Sequence, residues 1–590
     1  FGKHPSSLLR NDHGSFADVT VSSGLGNQHF PTQTASWSDF DNDGDLDLYV
    51  GNEDSQSISG NFGPQQNSPG LKAPCQLFQN NGDGTFEDIA AQAGVENLRF
   101  TKAVVWGDYN NDGFSDLFLS NLGQPNRLYH NNGNGTFADR ADVLSITKPI
   151  HSFPAWFWDF NNDGILDIYV SSYQGTTDRV ADVVTSLMGG NPGMELACLY
   201  MGDGKGGFSE VSDSHHLTQL HLPMGANFGD LDADGYLDFY LGTGYPDYEA
   251  LMPNAMFWNQ GGTHFLDVTV EGGFGHLQKG HAVVFADIDN DGDQDIFVSR
   301  LGQPNSLYQN NGKSQNWSFT DIGKKAGVLE PIDSFPAWFF DYNNDGWEDI
   351  WVSGYDNSSG HVAMDYLGIP NKGETPRLYK NNKNGTFTNV TIETNMNHPL
   401  LTMGSNYGDI NNDGFLDIYL GTGDPDYRSI QPNRMFVNNN GRSFDDVTFH
   451  GRFGHLQKGH GVSFADIDGD GDQDVHAVMG GAYEGSVYQN TLYENPGNWI
   501  NNWIGISLHG SKSNSLAIGA RIEIVLDNGE SIYRTVSSGG SFGGNPFKQM
   551  IGIGKNNQIN KIKIYWPGSG KNQNLFDLKT NQWHYIIESG

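Results

Sequence analysis

The chain has 590 residues, too many for one ordinary core unless it is built as a repeat array. Acidic residues outnumber basic ones by 37, and 28 of the 70 Asp and Glu fall at four fixed positions of one recurring loop. Eight divalent ions would cancel 16 of those charges and leave about −21, still enough to argue against nucleic acid or an anionic membrane as partner.

No apolar run reaches the roughly 18 residues of a transmembrane helix, so none is expected. The first residue is Phe1 rather than Met, which fits a chain whose leader or signal segment has been removed, although no such segment is visible. Two cysteines, Cys75 and Cys198, lie in repeats that are not neighbours. They are expected to be free and structural rather than a disulfide framework.

Residues 8–19 read as half a repeat, whose counterpart is Leu77 to Ile89. The unit is a short apolar strand, an Asn/Gly turn and a second strand carrying Phe. It returns at Leu128, Leu199, Met256, Leu307, Leu378 and Met435. An Asn-Gly turn flanked by alternating apolar residues is the strongest short-range hairpin signal.

The first acidic loop follows at Asp39, of the form D-x-[DN]-x-D-G-x-x-D, and seven more copies follow it. Oxygens at positions 1, 3, 5 and 9 can converge on one hard cation, and the glycine at position 6 permits the sharp turn. That is the ligand logic of a calcium loop, though without the position-12 glutamate and flanking helices of an EF-hand. Loop 1 offers Asp39, Asp41, Asp43 and Asp47; loop 2 offers Asp108, Asn110, Asp112 and Asp116. Loop 3 offers Asp159, Asn161, Asp163 and Asp167; loop 4 offers Asp230, Asp232, Asp234 and Asp238. Loop 5 offers Asp287, Asp289, Asp291 and Asp295; loop 6 offers Asp341, Asn343, Asp345 and Asp349. Loop 7 offers Asp409, Asn411, Asp413 and Asp417; loop 8 offers Asp466, Asp468, Asp470 and Asp474. Three or four carboxylates this close repel one another without a cation, so several bound Ca²⁺ are expected. Weakly held calcium loops work where calcium is millimolar, which points outside the cytosol.

One repeat therefore reads as a strand, the acidic loop, a second strand and the turn hairpin. Four short strands every 51–71 residues are the pattern of a β-propeller. Eight loops imply eight blades, with seven as the alternative. The eighth lacks a clear hairpin copy, and residues 8–19 are expected to supply it, closing the ring and removing exposed sheet edges. A longer period is superposed: residues 151–287 resemble residues 333–466, as in Ser152 to Trp156 and Ser334 to Trp338. Residues 51–75, 173–197 and 354–376 are expected as long loops decorating one face, with short helices at 180–187 and 362–367.

Counting back from each loop isolates two further sets. Two residues before the first Asp stand Trp37, Trp106, Phe157, Phe228, Phe285, Phe339, Tyr407 and Phe464, expected to pack between blades. Six residues before it stand Gln33, Lys102, Phe153, Met224, His281, Phe335, Met403 and His460, near the starts of the innermost strands. These either fill a narrow channel or, through His281, His460, Met224 and Met403, hold an additional transition metal such as copper. His276, Lys279, His455 and Lys458 would then frame the channel mouth. Asp247 and Asp426, in repeated Pro-Asp-Tyr segments, are either a carboxylate pair or turn residues. No nucleophile elbow, phosphate loop, HExxH or CxxC pair is present.

Near residue 497 the repeats stop. Ala520–Val525 and Lys561–Trp566 alternate as half-buried strands do, so residues 497–590 are expected to form a small β-domain.

The acidic loops with N-G-x-G-T-F hairpins resemble FG-GAP repeats, also called VCBS repeats, which form the calcium-binding propellers of integrin α-chains and many secreted bacterial proteins. The C-terminal run resembles the ASPIC/UnbV domain through Asn502-Trp503, Ser513 to Arg521, Ser537 to Gly540, Gly552-Ile-Gly554 and Trp566-Pro-Gly568. The pair in this order is similar to the cartilage acidic protein family and its bacterial relatives. Ser541 to Phe547 departs from the more polar stretch usual there.

The expectation is an all-β chain: an eight-bladed β-propeller over residues 1–496 closed by the N-terminal strand, then an ASPIC/UnbV-like domain over 497–590. It would be secreted, extracellular, periplasmic or at the cell surface, and act as a calcium-stabilised binding or scaffold module for protein or glycan. The alternative is an enzyme whose site lies at the channel mouth, with His281, His460, Lys279 and Lys458 as the catalytic candidates.

Overall fold

The computed structural model describes residues 9–589, apart from 54–72, 174–180, 244–253, 275–279, 313–317, 424–429, 480–490 and 540–543 and a scatter of short positions. Those short positions are 13–14, 19, 26–29, 31, 183–184, 186–187, 189, 191–192, 219, 222, 271, 273, 357, 468, 496, 498–499 and 538. Sheet 1 is built from Thr32–Ser38, Asp47–Asn52, Gln76–Asn80 and Phe86–Asp88 as an antiparallel meander in chain order. Six more four-stranded sheets repeat this plan, and the first strands of successive sheets pack side by side from sheet 1 to sheet 8. The acidic loop joins the first two strands of each sheet. The second strand reads as a short continuous apolar run because it is enclosed on both faces; Asp116–Asn121 and Asp349–Gly354 are buried at every residue.

Apolar side chains of adjacent sheets interdigitate. Phe40, Tyr49 and Leu77 of sheet 1 share a cluster with Leu117, Tyr129 and Phe137 of sheet 2. A short helical turn follows the fourth strand in sheets 1 and 5, at Ala90–Ala93 and Gly323–Ala326. It ends on Gly94 at φ 79°, where a Cβ would stand 3.2 Å from the Phe137 carbonyl of the next sheet. Only glycine accepts that backbone at that distance at no cost.

The first strand of every sheet carries a register slip near its start, between Thr32 and Thr34, Thr101 and Ala103, or Ser152 and Ala155, for example. All eight six-back residues fall within these slips. A bulge re-aims one side chain out of the ladder.

A polar device also joins the sheets. The Asn ending the third strand donates its side-chain N–H back to the preceding sheet: Asn131 to the Phe40 carbonyl at 2.7 Å, Asn259 to Phe160 at 2.8 Å, Asn310 to Leu231 at 3.0 Å. Asn381 reaches Ile288 at 2.8 Å and Asn438 reaches Tyr342 at 2.8 Å. In sheet 3 the position is Gly202, where a Cβ would stand 2.6 Å from the Leu166 carbonyl. Asn381→Ala removes bonds to the Ile288 and Glu348 carbonyls and strands both, an expected loss of about 3 kcal/mol, read as a lowered denaturant midpoint with unchanged slope.

Three expectations are corrected. Sheet 8 does have its own third strand, Thr491–Tyr493, and Asn495 makes the same backward bond to Ile410. The segment was missed because it lacks the Asn-Gly turn that marks the other hairpins. The N-terminal strands Leu9–Asp12 and Ser15–Asp18 pair with each other, and among the described residues they add no strand to sheet 8. Finally, Trp37 is 45% exposed whereas its equivalent Phe464 is 1% exposed, because a whole sheet, sheet 7, packs over Phe464 while the turn carrying Leu25, which packs on Leu48, Val50 and Phe78, leaves Trp37 only partly covered. Of the expected helices, one forms at Ser359–Tyr366 and the other falls largely outside the described residues.

Cys75 and Cys198 are both free and buried, as read from their spacing. Residues 502–587 form two further sheets. One orders Gln549–Gly554, Asn502–His509 and Trp583–Ile587, the last strand parallel to its neighbour. The other orders Ser531–Thr535, Arg521–Leu526, Ile559–Trp566 and Lys571–Leu575. They enclose a core of their own, including Ile504, Ile522, Ile551, Ile564 and Trp566. Among the described residues, no helix is long and apolar enough to cross a membrane.

Candidate metal centres

Each loop is wound by its own first aspartate. Asp159 Oδ1 accepts the Asp163 N–H at 3.0 Å and Oδ2 accepts the Gly164 N–H at 2.8 Å. Asp108, Asp341 and Asp409 bind positions 5 and 6 in the same way. The residue at position 4 is left-handed in all eight loops, from Asn344 at φ 53° to Gly469 at φ 75°, and position 6 is a left-handed glycine throughout. Asn tolerates that region better than most residues, which explains its use at position 4 in six copies.

The winding turns positions 1, 3 and 5 inward. In loops 1, 4 and 5 one oxygen from each of these aspartates lies within 4.8 Å of the others. The position-9 aspartate is fully buried, and in loop 3 it is doubly bonded: Asp167 Oδ2 accepts the Phe160 N–H and Oδ1 accepts the Gly202 N–H, at 3.2 and 2.9 Å. It ties the loop to the third strand, and each oxygen retains a second lone pair.

The donor set fits a hard divalent cation. Buried carboxylate oxygens on Asp41, Asp230, Asp289, Asp345 and Asp349 receive no hydrogen bond in the protein. Burial first, then neighbouring carboxylates, pushes Asp230 up to about 8. Burial likewise lifts Asp116, Asp167, Asp287, Asp341 and Asp409 to about 7. Carboxylates held this way keep their protons unless a positive charge joins them, and an oxygen-ligated ion is a group that would displace those protons.

Several residues serving the loops were not singled out in the sequence. The position-4 Asn donates to the position-6 carbonyl of the next loop: Asn42 to Gly113, Asn162 to Gly235, Asn290 to Gly346, Asn344 to Gly414 and Asn412 to Gly471, at 2.8–3.1 Å. Third-strand side chains orient the position-3 aspartates. Gln79 donates to Asp41 and Gln309 to Asp289, both at 2.7 Å, and the Trp258 indole donates to Asp232 at 2.8 Å. The Asn signal was legible in the repeat; the orienting residues vary in type and are recognisable only across the sheet.

The C-terminal region sits on the loops. Arg521 donates to the Gly346 carbonyl at 2.9 Å, and Arg534 to the Gly414 carbonyl at 3.1 Å, with Asp409 Oδ2 3.9 Å away. Glu348, at position 8 of loop 6, is buried and accepts the Thr535 hydroxyl. Gly554 N–H donates to the Asn412 carbonyl at 2.9 Å, and Gly471 packs against the Trp503 indole. The seat is complementary in charge: residues 497–590 carry nine Lys and Arg against five Asp and Glu.

Four of the six-back residues, Lys102, Phe153, Phe335 and Met403, make contacts of their own. Lys102 pairs with Glu53 at 2.5 Å and lies over the Phe100 and Phe153 rings. Phe153 packs on Tyr173 and Phe335 stacks on Tyr355, whose hydroxyl meets Met403 Sδ at 3.3 Å. Lys458 is buried and His460 half-buried on the first strand of sheet 8. Lys279, His276, Asp247, Asp426 and the side chains of Gln33, Met224 and His281 lie outside the described residues. Among the described residues, the clusters of three or more His, Cys, Asp or Glu able to share an ion are those in loops 1, 4 and 5.

A family described as FG-GAP-like repeat matches residues 70–119, 108–170, 242–298, 360–420 and 409–477, and one described as ASPIC and UnbV matches residues 510–590. Cartilage acidic protein 1 of Xenopus tropicalis is 30% identical over 220 residues, covering 36% of this chain and 31% of that protein. The Homo sapiens protein of the same name is 30% identical over 239 residues, covering 39% and 32%. The chain thus matches about a third of the length of these curated relatives. Among solved structures, Saccharomyces cerevisiae Sqt1 aligns over 84% of this chain and 100% of its own at TM-score 0.41 and 8% identity.

Proposed function

We propose, for a chain that belongs with the FG-GAP-repeat proteins carrying a C-terminal ASPIC and UnbV domain, that it is an extracellular, calcium-stabilised scaffold binding a protein or glycan partner. The observation carrying this reading is the row of acidic loops in which the aspartates at positions 1, 3 and 5 converge, with buried oxygens of Asp41, Asp230 and Asp289 that accept no hydrogen bond, set on sheets latched to one another by asparagines. Such a body is rigid once its loops are loaded, and rigid scaffolds present loops for recognition.

The proposed ring has eight blades, with sheet 1 meeting sheet 8. The turn after the N-terminal hairpin supports this arrangement. The Phe86 N–H donates to the Ser23 carbonyl at 2.7 Å. The same bond joins Phe265 to His215 and Phe444 to Thr394, where the tail of one sheet meets the next. The N-terminal segment therefore approaches sheet 1 as a preceding blade does. Closure would also bring Asn80 to the Ile467 carbonyl, completing the backward latch.

The ions would be held by positions 1, 3, 5 and 9 of the loops, where Ca²⁺ supplies the compensating charge. A metal inventory of protein purified in calcium tests this reading. About eight calcium ions per chain are expected from the eight loops, with no stoichiometric transition metal. Absence of calcium overturns the reading, and one copper per chain would favour a metal centre in the channel.

A further inference from the structure

The eight loops do not share one environment. In loops 1, 2 and 3 the position-5 aspartates Asp43, Asp112 and Asp163 and the position-4 residues Asn42, Asn111 and Asn162 are exposed. In loops 6 and 7 the first aspartates Asp341 and Asp409 are 5% and 1% exposed, and Asn412 is 3% exposed. The difference comes from the C-terminal region. Arg534 lies between loops 6 and 7, donating to the Gly414 carbonyl and to Asn344 Oδ1, while the Tyr533 N–H also reaches Asn344. Gly552 is pressed so close to loop 7 that a Cβ there would stand 2.3 Å from the Asn412 carbonyl carbon. Tyr533 covers Gly346 of loop 6.

We infer that loops 6 and 7 form a sealed pair of calcium sites, and loop 4 a single one beneath Lys512 and Asn514, whose ions exchange only when the C-terminal region lifts, while loops 1 to 3 exchange freely with solvent. This rests on the calcium reading above and adds to it a division of labour. An ion in loop 7 leaves past Arg534 and the Gly552–Gly554 strand end, so both must move first. Local opening of a docked element is rarer than fluctuation of an exposed loop, which slows exchange by an order of magnitude or more. The open loops would then report external calcium, and the sealed pair would hold the two domains together after the open sites empty.

The test is stopped-flow release of calcium from the full-length protein into a fluorescent chelator. Two phases are expected. Arg521→Ala with Arg534→Ala should merge the slow phase into the fast one while near-ultraviolet circular dichroism in calcium is retained. Single-site variants assign the phases without disturbing the interface: Asp112→Asn should remove amplitude from the fast phase, and Asp345→Asn from the slow phase. A single phase in the native protein, or Asp112→Asn reducing the slow amplitude, overturns the seal while leaving calcium binding intact. Absence of releasable calcium would instead overturn the underlying reading.

Discussion

Stripping calcium should lower the thermal unfolding midpoint by about 10 °C or more, because each ion bound only by the folded state would add about 2.7 kcal/mol at hundredfold excess over its dissociation constant. The deficit should depend on pH in a defined direction. Burial holds Asp116, Asp167, Asp287, Asp341 and Asp409 at about 7 and Asp230 at about 8, against an ordinary value of 3.8. The metal-free folded chain therefore binds more protons than the unfolded chain between roughly pH 4 and 8, and its stability falls as pH rises through that window. Calcium bound by the loops would take the place of those protons, so its apparent affinity should rise over the same window. The gap between calcium-loaded and stripped melts should widen from pH 5 to pH 8. Calorimetry at the two pH values checks both statements, and coincident melts with and without calcium at pH 8 would contradict the role given to the loops.

The second large effect falls at position 9. Asp167→Ala removes the acceptor of two buried N–H groups, from Phe160 and Gly202. Leaving both unpaired costs about 1–3 kcal/mol each, so a loss of about 4 kcal/mol is expected even in stripped protein. Asp163→Ala, at the exposed fifth position, loses two solvent-exposed bonds within the loop, from the Ile165 N–H and the Asn161 side-chain amide, together with the ion it would hold. Its effect should therefore be large in calcium and small without it. Denaturant titration of both variants in both conditions separates a ligand that is also a structural tie from one that is a ligand alone. Equal losses in stripped protein would show that the Asp167 bonds carry no such weight.

The parts legible in the chain are those that short segments encode. The acidic loop needs fixed residue types at fixed offsets and a glycine at position 6, so all eight copies could be read off, as could the strands on either side. The apolar alternation at 520–525 and 561–566 likewise marked two strands that form at Arg521–Leu526 and Ile559–Trp566. The missed third strand, Thr491–Tyr493, has no turn signal and becomes a strand by pairing with Asp474–Met479.

The aspartate-rich bends, their number and their sheets were determined by the sequence itself, since one ion's ligands must come from neighbouring residues. Which of those bends are covered was decided only in three dimensions. Arg534 meets Gly414 across 120 residues of chain, and Arg521 meets Gly346 across 175. No local pattern specifies such a contact; it arises because a basic, separately cored domain settles against an acidic rim where its charge is complementary.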